Sequence, residues 1–289
     1  MHISTNNAMT KVAAIQMVST PDLAQNSEVA DRLVAEAAQK GAQLVLLPEY
    51  WPLMAVHERD KLAQAEAPGT GLIQEAMAGI ASRHAIWLFG GTLPLASAEA
   101  GKVRNTLMVY APDGKLAAQY DKMHLFSFTR GKESYDESRT ISAGEAVRCV
   151  DTPFGRVGLS VCYDLRFPEL YRAMGECNLI VVPSAFTFTT GSAHWEILLR
   201  ARAIENQCYV LAAAQGGTHD NGRRTWGHSM LVDPWGEIVD LLEEGEGVVM
   251  GEIDLPKLAL IRENLPALRH RRSVLCPTIN QSDFSREKP

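Results

Sequence analysis

Short apolar runs alternate with longer amphipathic segments along most of the chain. Residues 11–17 (KVAAIQM), 43–49 (QLVLLPE) and 157–162 (VGLSVC) are nearly continuous apolar runs, a pattern typical of strands covered on both faces. Comparable runs predict further strands at residues 86–94, 178–186, 209–215 and 247–254. The pattern therefore predicts a buried sheet rather than an all-helical fold.

Longer segments between these runs carry the period of an amphipathic helix. In residues 26–42, Asn26 or Ser27 is the expected N-cap and Gly41 the expected stop. Further helices are predicted at residues 72–85, 167–176, 192–207 and 256–268. Strands that alternate with helices in this way favour an α/β layered protein.

Two hairpins and two polar segments complete the pattern. Residues 104–122 and 228–242 each consist of two apolar runs around a proline- and glycine-containing turn, which predicts hairpins. The polar segments 123–146 and 216–226 have no clear period and are predicted to be loops. Because hairpins are antiparallel and helix-linked strands are parallel, the sheets are expected to be mixed.

No segment rich in glycine, proline or serine divides the chain. We therefore predict one domain at residues 11–272, after an extended or disordered segment at 1–10 and before an extended tail at 273–289.

Composition narrows the classes of function. The chain of 289 residues is 46% hydrophobic and has a net charge of −6, which argues against general nucleic-acid binding. It has no apolar run long enough to span a membrane, and its polar first residues lack the apolar core of a secretory signal. Its five cysteines form no C-x-x-C and no zinc-type spacing, which favours reduced thiols and a cytoplasmic location.

Two reactive side chains lie at the ends of predicted strands. Glu49 ends LVLLPE and Cys162 ends VGLSVC, and functional sites in α/β sheets gather at such strand ends. Lys122 ends a hairpin strand, where its charge would lower the pKa of a nearby thiol and stabilise an oxyanion. These residues suggest a nucleophilic cysteine with a carboxylate base.

Histidines provide an alternative base. His124, His194 and His228 each lie beside apolar sequence, and a Cys–His pair would also support nucleophilic catalysis. Spacing alone does not choose between Glu49 and a histidine. The chain contains no G-x-S-x-G, G-x-G-x-x-G or P-loop, so serine-hydrolase and nucleotide-binding functions lack support.

Three motifs together resemble the nitrilase superfamily of carbon–nitrogen hydrolases. They are LLPEYW around Glu49, YDKMHLF around Lys122 and GLSVCYDLRFPELYR around Cys162, in the order of that family. The resemblance implies a four-layer αββα sandwich with two mixed sheets, a Glu–Lys–Cys triad, and no metal or organic cofactor. It also implies subunits paired as a homodimer through their helical layers. A second glutamate that supports the lysine matches Glu137.

The resemblance also implies a substrate class. Residues 183–215 and 227–236 look most similar to amidases that act on deaminated glutathione, with the omega-amidases as near relatives. The expected reaction is hydrolysis of the primary amide of a small α-keto acid monoamide through a cysteine thioester, with release of ammonia. Omega-amidase activity on α-ketoglutaramate, N-carbamoyl-amino-acid hydrolysis and a silent binding module are the alternatives. Tyr163 and Asp164 follow the cysteine, which disfavours a nitrile substrate.

Several residues are expected to bind the substrate amide. The backbone N–H of Tyr163 would join Lys122 in binding the oxyanion. Arg166 would hold a substrate carboxylate, as an arginine does in related carbamoylases, although it could instead pair with Glu169. Phe186, Thr189 and His194 would line the pocket, although packing explains them equally well. Arg223 and Arg224 could reach a longer acidic substrate, although a mobile loop is the expected state.

Overall fold

The computed structural model describes residues 9–131 and 133–272 of the chain. Most of the expected N-terminal extension, residues 1–8, and the expected tail, residues 273–289, lie outside the described residues. Met9 and Thr10 already belong to the first strand.

Strands and helices alternate much as the apolar pattern predicts. The strands are β1 Met9–Gln16, β2 Leu44–Leu46, β3 Trp87–Ala96, β4 Val103–Tyr110, β5 Leu116–Asp121, β6 Ser127–Arg130, β7 Glu133–Asp136, β8 Cys149–Thr152, β9 Gly155–Leu159, β10 Leu179–Ser184, β11 Tyr209–Ala214, β12 Ser229–Val232, β13 Ile238–Leu242 and β14 Gly247–Asp254. The helices are α1 Leu23–Gln39, α2 Asp60–Ala63, α3 Leu72–His84, α4 Pro168–Ala173, α5 Phe188–Asn206 and α6 Leu255–Asn264.

Two six-stranded mixed sheets form the centre of the molecule. The first has the order β14-β1-β2-β3-β4-β5, and the second has the order β13-β12-β11-β10-β9-β8. Strands β1, β2 and β3 are parallel, as are β9, β10 and β11, and the outer pairs are antiparallel. Strands β6 and β7 form a separate two-stranded hairpin.

The two sheets pack face to face and are covered by helices. Their shared core includes Val12, Leu46 and Phe89 from the first sheet and Leu159 and Leu211 from the second. Helices α1 and α3 cover the outer face of the first sheet with the buried side chains Leu33, Val34, Met77 and Ile80. Helices α4 and α5 cover the second with Leu170, Tyr171, Trp195 and Leu199. The result is the expected four-layer αββα sandwich.

Helix α1 begins earlier than its periodicity predicts. Asp22 is the N-cap, because its carboxylate accepts hydrogen bonds from the N–H groups of Ala24 and Gln25 at 2.8 and 3.1 Å. The predicted cap Asn26 is instead buried, and its side-chain amide donates to the Thr20 and Pro52 carbonyls. The N-cap prediction was therefore wrong, because Asp22 satisfies the free N–H groups one turn earlier.

The segment 123–146 is not a plain loop. It contains the β6–β7 hairpin and a short 3-10 turn at Glu137–Arg139. Its strands are four residues long and contain no buried residue, so they carry little of the alternating apolar signal that predicts a strand. Phe126 and Glu137, which flank this hairpin, line the site described next.

Candidate active site

The predicted catalytic residues lie just beyond the ends of three strands. Glu49 follows β2 by three residues, Lys122 directly follows β5, and Cys162 follows β9 by three residues. Strands β2 and β5 belong to the first sheet and β9 to the second. The sequence-predicted residues are therefore brought together from both sheets.

Lys122 lies between two carboxylates. Its ammonium is 2.9 Å from Glu49 Oε1 and 2.8 Å from Glu137 Oε2. All three side chains are nearly or wholly removed from solvent. Buried charges persist only when paired and hydrogen-bonded, so the three groups form one charged unit.

Glu49 is held by groups from both sheets. Its Oε1 accepts a hydrogen bond from the Asn105 amide at 2.8 Å, and its Oε2 accepts from the Ala185 N–H at 2.9 Å. The Gln215 side chain donates to the Glu49 carbonyl at 3.1 Å. These contacts fix the carboxylate in one orientation toward the cavity.

Glu137 is equally well fixed. Its Oε2 accepts from the Phe126 N–H at 2.7 Å and its Oε1 accepts from the Tyr50 hydroxyl at 2.8 Å, in addition to Lys122. A loop charge would be exposed, whereas this side chain is 12% exposed. The structure thus places Glu137 where a second glutamate can support the lysine.

Cys162 lies at a sharp turn after β9. Its φ is +48°, a left-handed conformation that costs a non-glycine residue free energy, and it begins a 3-10 turn that runs to Arg166. The buried Asp164 holds this turn, because it accepts hydrogen bonds from the Val161 N–H, the Tyr120 hydroxyl and the His124 ring at 2.9, 2.7 and 2.7 Å. The thiol is thereby turned out of the strand.

Burial and the neighbouring charges control the proton of this thiol. Burial and the Glu49 carboxylate raise the pKa of the Cys162 thiol well above its usual range, while Lys122 acts in the opposite direction. Burial alone would lower the pKa of Lys122, but Glu137 and Glu49 outweigh it and raise that pKa. Burial would raise the pKa of Glu137, yet Lys122 lowers it. The resting site therefore has a neutral thiol beside a protonated lysine.

A narrow cavity in front of Cys162 connects these groups. It is lined by Glu49, Phe126, Glu137, Cys162, Tyr163, Ala185, Phe186, Thr187, Thr190 and Arg223. Within the described residues, no protein group accepts a hydrogen bond from the Tyr163 N–H. That N–H is therefore free to bind an oxyanion formed beside the thiol.

The expected pocket residues are only partly brought to this cavity. Phe186 and Tyr163 line it, whereas Thr189 turns away and donates a hydrogen bond from Oγ1 to Glu133 at 2.8 Å. Thr190 faces the cavity instead. Successive residues of a helix point about 100° apart, so a shift of one position changes the face.

Arg166 and His194 lie behind the cavity wall. The Arg166 guanidinium stacks 5.7 Å from the Tyr163 ring centre and 5.4 Å from that of Phe186, and Nη1 lies 3.2 Å from Nδ1 of the exposed His194. No ion pair between Arg166 and Glu169 forms in the described part of the chain. Arg166 is thus a cation beside two rings of the cavity.

The histidines are engaged elsewhere. His124 stacks on Phe167 and binds Asp164, while His228 stacks on Trp226 and contacts its carbonyl at 2.9 Å. No histidine of the described residues lines the cavity in front of Cys162. The geometry therefore favours Glu49 over histidine as the neighbour of the thiol.

The loop 216–226 makes contacts within itself and with the segment before α1. The His219 ring bridges the Ser19 carbonyl and the Thr225 hydroxyl, both at 2.9 Å. Arg223 reaches the cavity, whereas Arg224 stacks on Phe188 at 3.8 Å and points away. Such contacts join distant parts of the sequence, so composition alone could not predict them.

Sequence reasoning missed the residues that hold the catalytic groups. Tyr50 and Asp164 lie inside the motifs around Glu49 and Cys162 but were given no supporting role, and Asn105 lies outside the three motifs. A polar residue next to a predicted catalytic residue was the one signal available. Asn105 lies between Arg104 and Thr106 in the polar first half of β4, so its polarity gave no distinct signal.

Two further features of the described residues bear on other classes of function. Among residues 9–131 and 133–272, no three His, Cys, Asp or Glu side chains are grouped so that they could hold a metal ion. None of the described helices is long and apolar enough to cross a membrane.

Comparison with known proteins identifies the class. The carbon-nitrogen hydrolase family matches residues 11–263. A deaminated glutathione amidase of Synechocystis is 42% identical over 265 residues, which cover 90% of this chain and 97% of that protein. An omega-amidase of Homo sapiens is 40% identical over 270 residues, which cover 92% and 96%. Solved structures show the same likeness: a nitrilase-superfamily protein of Saccharomyces cerevisiae superposes with a TM-score of 0.82 at 31% identity, over 93% of this chain and all of that one.

Fold, site and relatives agree on a carbon–nitrogen hydrolase. The chain belongs to the carbon-nitrogen hydrolase family, the nitrilase superfamily, and the two relatives from Synechocystis and Homo sapiens are amidases.

Proposed function

We propose that this enzyme hydrolyses the amide of an α-keto acid monoamide, with deaminated glutathione as its substrate. The observation that carries the proposal is the Lys122 ammonium held between Glu49 and Glu137 beside the Cys162 thiol. Such a unit supplies a base, a cation and a nucleophile in one buried cavity. The 42% identity to a deaminated glutathione amidase supports the substrate.

The proposed reaction begins with proton transfer within this unit. Glu49 accepts the thiol proton as sulfur attacks the amide carbon, so the thiolate forms only during the attack. Lys122 and the free Tyr163 N–H stabilise the oxyanion. Collapse of the tetrahedral intermediate breaks the C–N bond, and Glu49 returns its proton to the departing amine. Water activated by Glu49 then hydrolyses the thioester and regenerates the thiol.

The two candidate substrates differ in their leaving group. In deaminated glutathione an amide joins the α-ketoglutaryl group to cysteine, so hydrolysis releases cysteinylglycine. In α-ketoglutaramate the amide is primary and hydrolysis releases ammonia. The ammonia release predicted from the sequence therefore applies to α-ketoglutaramate and not to deaminated glutathione. A groove lined by Tyr50, Tyr135 and Arg223, among other residues, adjoins the catalytic cavity, and its presence favours the larger leaving group. The 40% identity to an omega-amidase supports α-ketoglutaramate as the second candidate.

A comparison of substrates tests the proposal. We expect purified enzyme to release cysteinylglycine from deaminated glutathione with a higher kcat/KM than that for ammonia release from α-ketoglutaramate. The reverse order would make the enzyme an omega-amidase, and preference for an N-carbamoyl amino acid would make it a carbamoylase. Turnover of none of these amides would indicate a silent binding module. Cys162→Ala is the control, since it removes the nucleophile.

A homodimer is also proposed, through the outer face of α5. Ile197 and Ile204, 68% and 51% exposed, lie two turns apart on this helix, and the exposed Trp235 precedes Gly236, which contacts Ile204. Adjacent exposed apolar side chains often mark a protein interface. Sedimentation should show a dimer for the native chain and a monomer for Ile197→Glu. A monomeric native chain would contradict the proposal.

We propose a cytoplasmic location, since the four described cysteines are free thiols. Fractionation of the producing cells tests it.

A further inference from the structure

A groove of about 480 Å³ lies outside the catalytic cavity, within the range of about 300–1,000 Å³ typical of small-molecule sites. Its walls come from the segment after Glu49, the β6–β7 hairpin and the loop 216–226. Groove and cavity share three lining residues, Phe126, Glu137 and Arg223. The cavity and the groove therefore meet at these three residues.

Arg223 is the cation at the junction of the two spaces. One guanidinium nitrogen, Nη2, donates to the Ala185 carbonyl at 2.6 Å, and the guanidinium stacks on the Tyr135 ring at 5.3 Å. Its Nε is buried and has no hydrogen-bond partner. No carboxylate of the described residues forms an ion pair with it. Arg223 thus keeps N–H donors available for an anion.

The carboxylates around the groove already have partners. Glu58 pairs with Lys61 at 2.8 Å, and Glu133 accepts a hydrogen bond from the Thr189 hydroxyl at 2.8 Å. Asp136 caps the following 3-10 turn, accepting hydrogen bonds from the Ser138 N–H and hydroxyl. Glu137, which also lines the junction, pairs with Lys122 at 2.8 Å. None of these carboxylates forms an ion pair with Arg223.

The position of Arg223 is fixed by the chain around it. Its backbone N–H donates to the Asn221 side chain at 2.9 Å, and the Asn221 amide donates to the Ala55 carbonyl at 2.8 Å. The next-but-one residue, Thr225, pairs with Thr187 in an antiparallel bridge. A guanidinium held in this way offers a preorganised fork to a carboxylate.

We propose that the groove is the leaving-group subsite and that Arg223 binds the terminal carboxylate of the departing dipeptide. This inference rests on the proposed function. Deaminated glutathione carries one carboxylate on its acyl part and one on its leaving group, and the site offers two arginines without carboxylate partners. Of the two, Arg223 is the one that lines both the cavity and the groove, and it would bind the carboxylate of the leaving group. Arg166 stacks on Tyr163 and Phe186 beside the cavity. An amide that releases ammonia leaves this subsite unused.

A matched pair of substrates tests the assignment. One is deaminated glutathione, and the other is its analogue with the glycine carboxylate replaced by a carboxamide. A charge-assisted contact of this kind should give the native enzyme a preference for the carboxylate of about tenfold or more in kcat/KM. In Arg223→Gln we expect that preference to fall below about threefold, because the interaction between residue and carboxylate is lost.

Two variants control the comparison. Arg224→Gln changes the neighbouring arginine, which is exposed and points away from the cavity, and should keep the native preference. Arg223→Lys keeps the charge without the bidentate fork, so its preference should fall between those of the native enzyme and Arg223→Gln. Thermal melting checks that each variant is folded.

Several outcomes would overturn the subsite. An equal preference for the carboxylate in native enzyme and Arg223→Gln contradicts the contact, as does a native enzyme that hydrolyses both analogues equally. Turnover of α-ketoglutaramate without turnover of deaminated glutathione rejects the subsite but leaves the amidase function standing. Turnover of no amide rejects the proposed function and the subsite with it.

Discussion

At the scale of single residues, Lys122 combines two roles. It neutralises the buried Glu49 and Glu137, and it is proposed to stabilise the oxyanion. Motif and strand-end position predicted the residue, whereas its hydrogen bonds depend on side chains from other strands. Variants of Lys122 and of its neighbours distinguish the neutralisation of the two glutamates from the stabilisation of the oxyanion.

Removal of the lysine ammonium should strongly impair turnover. Loss of one oxyanion donor typically costs about 10²–10³ in rate, so we expect kcat of Lys122→Ala to fall at least that far. Lys115→Ala, in the turn of the same hairpin and 83% exposed, should keep native activity. Steady-state kinetics with circular dichroism would check both, and a kcat for Lys122→Ala within tenfold of native would contradict the role.

The base can be assigned by two parallel variants. Glu49→Gln keeps the shape but not the basicity, so kcat should fall by about 10²-fold or more. His194→Ala removes a ring that contacts Arg166 at 3.2 Å, so it should change KM more than kcat. If His194→Ala alone abolished turnover, a Cys–His mechanism would replace the one proposed here.

Arg166→Lys tests the acyl-side carboxylate. A lysine cannot reproduce the planar fork, so KM for an anionic amide should rise by about tenfold while kcat changes less. The matched control is a neutral amide without a carboxylate, for which both enzymes should have similar KM values. A fall in kcat alone would indicate that Arg166 positions Tyr163 and does not bind the substrate carboxylate.

At the scale of elements, one glycine sets the approach of β3 to the segment before Glu49. Gly91 has a φ of +58° at a bulge in β3, and a Cβ there would collide with the Pro48 carbonyl and the Trp51 ring. A larger residue would push this segment, and Glu49 with it, out of place. The bulge is a local feature that an apolar strand pattern does not reveal.

Gly91→Ala should therefore lower both stability and kcat. The left-handed conformation alone costs a non-glycine residue about 1–2 kcal/mol, and the collision adds to that cost. Gly101→Ala is the control, because Gly101 also has a positive φ, +76°, but open space around its Cβ position. Denaturant unfolding and kinetics should show a larger loss for Gly91→Ala, and equal losses would refute the collision.

The elements also show what a sequence pattern can predict. Buried strands such as β10 and β11 were predicted within two residues, because continuous apolar runs report burial directly. The β6–β7 hairpin was missed because its strands contain no buried residue and carry no such run. The catalytic contact between Glu49 and the Ala185 N–H depends on how two sheets pack, which periodicity within one strand does not encode.

At the scale of the whole molecule, buried thiols link stability to alkaline pH. Burial raises the pKa of the Cys208 thiol to about 12, compared with about 8.5 in an unfolded chain. The folded state therefore binds the proton of the Cys208 thiol more tightly than the unfolded state does. The stabilisation is complete below about pH 8.5 and is lost progressively as the pH rises toward 12.

We expect the free energy of unfolding of the native protein to decline above about pH 8.5, and that of Cys208→Ala to decline less steeply. The variant is less stable at neutral pH because it leaves a small cavity, so the slope is compared rather than the absolute value. Urea unfolding at pH 7.5, 9 and 10 measures both slopes. Parallel slopes would show that Cys208 does not contribute.

The bonds that hold Glu49 bear on how related sequences are interpreted. Its carboxylate accepts hydrogen bonds from Asn105 and Lys122 on the side of the first sheet and from the Ala185 N–H on the side of the second. Its carbonyl accepts a hydrogen bond from Gln215, also on the side of the second sheet. The proposed base therefore also links the two sheets of the sandwich. Selection for stability alone would then preserve a glutamate at this position after activity is lost. In a diverged homologue, a retained glutamate is therefore weak evidence of catalysis. A retained cysteine, held in a costly left-handed turn, is the stronger sign.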